Sequence, residues 1–220
     1  MLATVKWKAF FVRLFCLLRC FVFCLLFCLL LCLLPGATWA QELGAESQWR
    51  IWLEPKVIHA PVSMRIAGSK ETEMVAGIRD SLSDDCLTKA QWETLKVSQE
   101  AFFKVAQVNA DADLASLKPR FVRNSKKVIE YAVLSSEKAI VASAVLGTKF
   151  LAMFEATLGD KLLVVVPSRS KAFVFPKLAS EYARYASVVI EAYQNADFPV
   201  SLEVFEVSAE GWKVIGIYEP

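Results

Sequence analysis

The sequence predicts an α+β fold, a mixed or antiparallel sheet with helices mainly on one face, in a single domain over residues 49–220. Three observations predict it. The stretch from Asp160 to Tyr218 reads as a ββαββ unit. Within it, Leu162 to Val166 is apolar at every position, which marks a strand covered on both sides. Two further segments, one opening at Thr88 and one following Ser136, are apolar in the manner of helices rather than of half-buried strands.

The C-terminal unit is the clearest part. Pro167, Ser168, Arg169 and Ser170 supply turn chemistry between Leu162–Val166 and a second strand at Ala172–Phe175, so the pair predicts a hairpin. Pro176 has no N–H to give to a ladder, and its fixed φ suits the first turn of a helix. Leu178, Tyr182, Tyr185, Val189 and Tyr193 then form one helical stripe, with Glu181, Arg184 and Glu191 on the other side. After Asn195 and Pro199, Val200, Leu202 and Val204 alternate before the phase slips to Phe205 and Val207, which predicts a bulge. Gly211 turns the chain into a last strand, Trp212–Tyr218.

Upstream, Trp49–Leu53 reads as a strand ended by Glu54 and Pro55. Val57–Ile58 and Met64–Ile66 predict a second extended pair. Met74, Val75, Ile78 and Leu82 repeat at helical spacing and predict a short amphipathic helix over residues 71–82, broken by Ser83, Asp84 and Asp85. Thr88 and Gln91 fit a capping box, opening a helix with Trp92, Leu95, Phe102 and Ala106 on one face and a polar stop at Asn109–Asp113. Val128–Leu134 is a strand. Lys118, Arg120, Arg123, Lys126 and Lys127 gather just before it and read as a solvated edge. Ser136–Leu158 reads as a buried core helix broken at Gly147. A membrane span would have to bury Lys149 and Glu155.

Residues 1–40 read as a signal peptide or signal anchor. Lys6, Lys8, Arg13 and Arg19 precede an apolar run, Phe21–Leu34, and Pro35, Gly36 and a terminal Ala40 predict cleavage after Ala40. The other reading joins residues 14–34 into a membrane anchor. Both export the rest of the chain to a periplasmic or extracellular compartment, with residues 41–48 as a flexible lead-in. Without those four bases, 21 Lys and Arg face 23 acids, so no basic field points to nucleic acid. Five of the six cysteines lie in the leader, where they behave as small hydrophobes. Cys86 is then the one mature cysteine and has no partner for an internal disulfide.

Helix Ala142–Leu146, the Gly159–Pro167 segment with its Gly-Asp start and Val-Pro end, Phe173–Phe175 and the Tyr-rich helix before Phe198 and Pro199 resemble the YtpQ-like family of conserved bacterial proteins of unknown function. The helix opened at Thr88 fits the same order, and the resemblance covers residues 87–218. It implies a shared fold and brings no activity. The family often places an acid where this chain has Ser170, and its members are typically cytoplasmic.

No phosphate loop, dinucleotide fingerprint or nucleophile elbow is present. A Cys86–His59 dyad is the sharpest enzymatic idea, yet Asp84 and Asp85 would raise the thiol pKa rather than lower it. Asp111 and Asp113 lack the Gly and Glu of a calcium loop, and helix termination explains them first. No metal or other cofactor is implied. Tyr182, Tyr185, Tyr193, Trp212 and Tyr218 could line a pocket, although helix-on-sheet packing explains them first. Ser168, Arg169 and Ser170 form the most informative turn, because a guanidinium flanked by hydroxyls beyond a buried strand could hold a carboxylate or phosphate. Two function classes follow. The first is a non-catalytic module that binds a protein or cell-envelope component. The other is an enzyme without a recognisable motif that uses this turn as its anion holder.

Overall fold

The strands Leu162–Ser168 and Glu203–Ser208 are buried along nearly their whole length, and the architecture follows from covering them on both faces. The computed structural model describes residues 45–79, 84–177 and 182–219, so the predicted leader and the start of the lead-in lie outside the described residues. In chain order the strands are β1 (Trp49–Pro55), β2 (Ser63–Arg65), β3 (Thr72–Arg79), β4 (Asp84–Cys86), β5 (Arg120–Arg123), β6 (Ile129–Ser135), β7 (Leu162–Ser168), β8 (Lys171–Pro176), β9 (Glu203–Ser208) and β10 (Gly211–Ile217). The helices are α1 (Lys89–Leu95), α2 (Gln99–Ser116), α3 (Val141–Ala144), α4 (Phe150–Leu158) and α5 (Ala186–Gln194).

Two antiparallel sheets result. The smaller has the order β1-β3-β2, with β4 also on β3, and the larger has the order β10-β9-β7-β8-β6-β5. On one face of the larger sheet Leu162, Val164, Val166, Val174 and Phe205 join the smaller sheet and α2, α3 and α4 in one core. On the other face Leu163, Val165, Phe173, Phe175 and Val204 pack beneath α5. The fold is therefore α+β, with four of the described helices on one side of the larger sheet, α1 through Trp92 and Leu95, and α5 on the other.

The two-sided burial explains where the sequence pattern misleads. Leu202 and Val204 face α5 while Phe205 and Val207 face the opposite core, so the phase slip records two covered faces. The register shift lies instead in the neighbour, between Val214 and Gly216 of β10. For the same reason the segment read as a helix over residues 71–82 is strand β3. Met74, Val75 and Ala76 are all buried, and apolar residues on both faces match helical spacing as readily as alternation. Leu82 lies outside the described residues, as does Leu178 of the predicted stripe before α5. That stripe enters α5 through a single 3-10 turn, Tyr182–Tyr185.

The Thr88 capping box forms as predicted, with both the Gln91 N–H donating to Thr88 and the Gln91 side chain accepting from the Thr88 N–H. The helix it opens is two helices. Lys96 adopts a left-handed conformation at φ 52°, and Ser98 caps α2 anew by accepting from the Ala101 N–H. Nor does α2 stop at Asn109–Asp113. Asp111 accepts from the Thr148 hydroxyl at 2.5 Å and from the Lys149 N–H at 2.9 Å, so it anchors the start of α4. Asp113 pairs with Arg79 of β3 at 2.6 Å. These acids tie α2 to its neighbours rather than ending it. The Ser136–Leu158 segment does break at Gly147, between α3 and α4. Val57 and Ile58 belong to a 3-10 turn rather than an extended pair, whereas Met64 lies in β2. Among the described residues, no helix is long and apolar enough to cross a membrane.

One buried carboxylate joins the sheets. Glu203 of β9 accepts from the Ser69 hydroxyl at 2.7 Å and from the Lys70 and Glu71 N–H groups at 2.7 and 3.2 Å, all in the loop between β2 and β3. The Thr72 hydroxyl donates to Ser201 at 2.6 Å beside it. Burial alone would raise the Glu203 pKa, but the converging donors outweigh it and hold the carboxyl below its ordinary value.

Two predictions follow from these contacts. A Cβ on Gly147 would stand 2.7 Å from Asp111 Oδ1, which its two hydrogen bonds hold in place. Gly147→Ala is therefore expected to cost about 1–3 kcal/mol in urea unfolding, through overpacking. Glu203→Gln is expected to cost about 1–3 kcal/mol at neutral pH, because an amide cannot accept every donor offered to the carboxylate. Since the folded-state pKa is lowered, this stability is present above the ordinary carboxyl pKa and lost as pH falls through the folded value. Wild-type and variant unfolding curves should therefore converge on acidification.

Candidate functional site: a cleft of mixed charge beside the β7–β8 hairpin

Strand register builds a graded surface on the α5 side of the larger sheet. Val122, Tyr131, Phe175 and Leu163 lie beneath or beside the helix. The next row pairs Arg120 with Val133, Val133 with Phe173, and Phe173 with Val165. The outermost row pairs Ser135 with Lys171 and Lys171 with Ser168. Side chains turn from aromatic and aliphatic to polar along that gradient, so helix and sheet part. A cleft of about 450 Å³ opens there.

Its floor is Tyr131, Val133 and Phe173, and its far wall is a helical stripe of Val188, Glu191, Ala192 and Asn195, extended by Ala196 and Asp197. Alanines at 192 and 196 keep that wall low. Polar groups crowd the sheet wall. The Ser168 and Ser170 hydroxyls lie 3.1 Å apart, and the Ser170 N–H donates to Ser168 Oγ at 3.3 Å. The volume falls within the range of small-molecule sites.

The predicted anion site divides at this hairpin. Ser168 and Ser170 line the cleft, but Arg169 turns to the other side and meets an anion belonging to the chain itself. Its Nε donates to Glu54 Oε1 of β1 at 2.5 Å, and Trp52 Nε1 donates to the same oxygen at 2.7 Å. The guanidinium also lies over the rings of Trp52 and Phe198, 5.8 and 5.4 Å from their centroids. Burial pushes the Glu54 carboxyl above its ordinary pKa, against the opposing pull of Arg169 and Trp52. Arg169 is thus a tie between the two sheets. The cations of the cleft are Lys171 and Arg120.

Other candidates stay apart. His59 is exposed in a left-handed turn after β1, whereas Cys86 is half-buried opposite Gly77 in β4, and no hydrogen bond joins them. Among the described residues no three His, Cys, Asp or Glu side chains gather as a metal site. Tyr182, Tyr185, Tyr193 and Tyr218 pack in the layer beneath α5, and Trp212 packs on the opposite core. The Tyr218 hydroxyl donates to the Tyr182 carbonyl at 2.7 Å, and burial raises its pKa. The basic cluster of residues 118–127 is exposed along edge strand β5, as an edge that resists further pairing should be. Arg120 is its one member in the cleft.

No family model, curated protein or solved structure matches the chain.

Arg169 and Lys171 should separate in mutagenesis. Arg169→Ala leaves Glu54 buried without its cation and is expected to lower unfolding stability by about 1–3 kcal/mol. Ligand binding in the cleft should weaken far less than with Lys171→Ala, since Arg169 contributes only by holding the hairpin tip in place. Lys171→Ala should show the reverse, with a thermal midpoint close to wild type and weakened binding.

Proposed function

We propose that the chain is an exported, non-catalytic module that binds a protein or cell-envelope component, and that the cleft beside the β7–β8 hairpin is its binding site. The observation that carries this reading is the make-up of the cleft. It combines an aromatic floor with hydroxyls and charges of both signs, the composition of a recognition surface. A nucleophile needs a base within hydrogen-bond reach, and Ser168 and Ser170 hydrogen bond to one another rather than to a base. The Arg169–Glu54 pair likewise favours a binding module over an enzyme that would hold a substrate anion at Arg169. Export rests on the basic, then apolar, then small-residue order of residues 1–40. The resemblance to the YtpQ-like family over residues 87–218 adds no activity to this reading, and the cytoplasmic location typical of that family stands against its export part.

Affinity purification of the tagged chain from its native envelope, followed by mass spectrometry, tests the proposal. A stoichiometric partner or component should be recovered with wild type and lost with Ser135→Trp, which fills the cleft from an exposed position. Recovery of nothing, or equal recovery with both, would count against the cleft as the site. The same spectra should contain a peptide beginning at Gln41 if the leader is cut, or leader peptides if it anchors. A purely cytosolic protein would end the export reading.

A further inference from the structure

The charged side chains of the cleft divide by wall. Arg120 and Lys171 stand on the sheet, while Glu191 stands on α5 and Asp197 on the turn after it. None of the four makes an ion pair within 4.0 Å among the described residues, so opposite charges face one cavity without closing it. A lone anion drawn to Lys171 would also meet the two carboxylates, and a lone cation would meet Lys171 and Arg120. A ligand bearing both signs satisfies both walls.

Resting on the cleft as the binding site, we propose that its ligand is a small zwitterion, an amino acid or short peptide with free termini. The carboxylate lies against Lys171 and Arg120 beside the Ser168 and Ser170 hydroxyls. The ammonium faces Glu191 and Asp197, and the apolar side chain rests on Tyr131 and Phe173. The volume of about 450 Å³ suits such a molecule.

Calorimetric titration of the purified full chain tests this with phenylalanine, alanyl-phenylalanine, the N-acetylated and C-amidated forms of that dipeptide, and inorganic phosphate. At least one of the two zwitterions should bind, and whichever binds more tightly distinguishes amino acid from peptide. Blocking either end of the dipeptide should weaken binding about tenfold or more, the loss expected for one charge-assisted contact. Lys171→Ala should weaken the free dipeptide by a similar factor and leave the amide unchanged. Glu191→Gln with Asp197→Asn should do the same for the free and acetylated forms. Arg120→Ala, at an exposed edge, serves if Lys171→Ala fails to fold. Absence of binding by both zwitterions, or equal binding of blocked forms or phosphate, overturns the proposal. If an envelope partner is still captured through the cleft in that event, the binding-module reading survives. If neither is bound, both readings fall.

Discussion

A strand that is apolar on both faces cannot rest at a surface, and β7 imposes this constraint on everything around it. One cover is a second sheet with four helices, and the other is α5. Each cover extends only as far as there are apolar side chains to bury. Where the α5-facing rows pass from Tyr131 and Phe173 to Ser135, Lys171 and Ser168, the gain from burial ends and the helix no longer follows the sheet. The cleft is thus a product of the same hydrophobic arithmetic that closes the core.

Two buried glutamates tie the sheets and titrate in opposite senses. Glu203 is surrounded by donors that favour its charged form, and its contribution fades in acid. Glu54 has a raised pKa because burial outweighs the one cation and one indole beside it. Its linkage has the other sign, with stability declining as pH rises through the folded-state value. Glu54 sits by the hairpin and Glu203 by the β2–β3 loop, so acid and base load different parts of the same seam.

Much of the C-terminal unit was legible because its signals are local. A hairpin turn, a proline stop and a helical stripe each declare themselves within a few residues, and the Thr88 cap needed only Gln91. The failures share a cause: the informative partner was distant in sequence. β3 looked helical until β1 and β2 were known to flank it and its two faces to be covered. Asp111 looked like a helix stop until Thr148 and Lys149 were placed against it. In the predicted anion site, the turn and its serines were identified, but Arg169 finds Glu54 across 115 positions of chain, and no local pattern reports that. Lys171, Ser135 and Glu191 were missed because each is unremarkable alone, and only the register of β6, β7 and β8 with α5 brings them together.

The hairpin tip is held with unusual completeness. The Arg169 N–H donates to the Phe198 carbonyl, the Arg169 carbonyl accepts from Val141 and Ala142, and the Ser170 carbonyl accepts from Ser136. With the side chain clasped between two rings and a carboxylate, this wall of the cleft has little conformational freedom left to lose. Its ordering entropy is spent when the chain folds rather than when a ligand arrives. Such a wall behaves as a template, and encounter with it is a matter of diffusion and charge rather than of slow rearrangement.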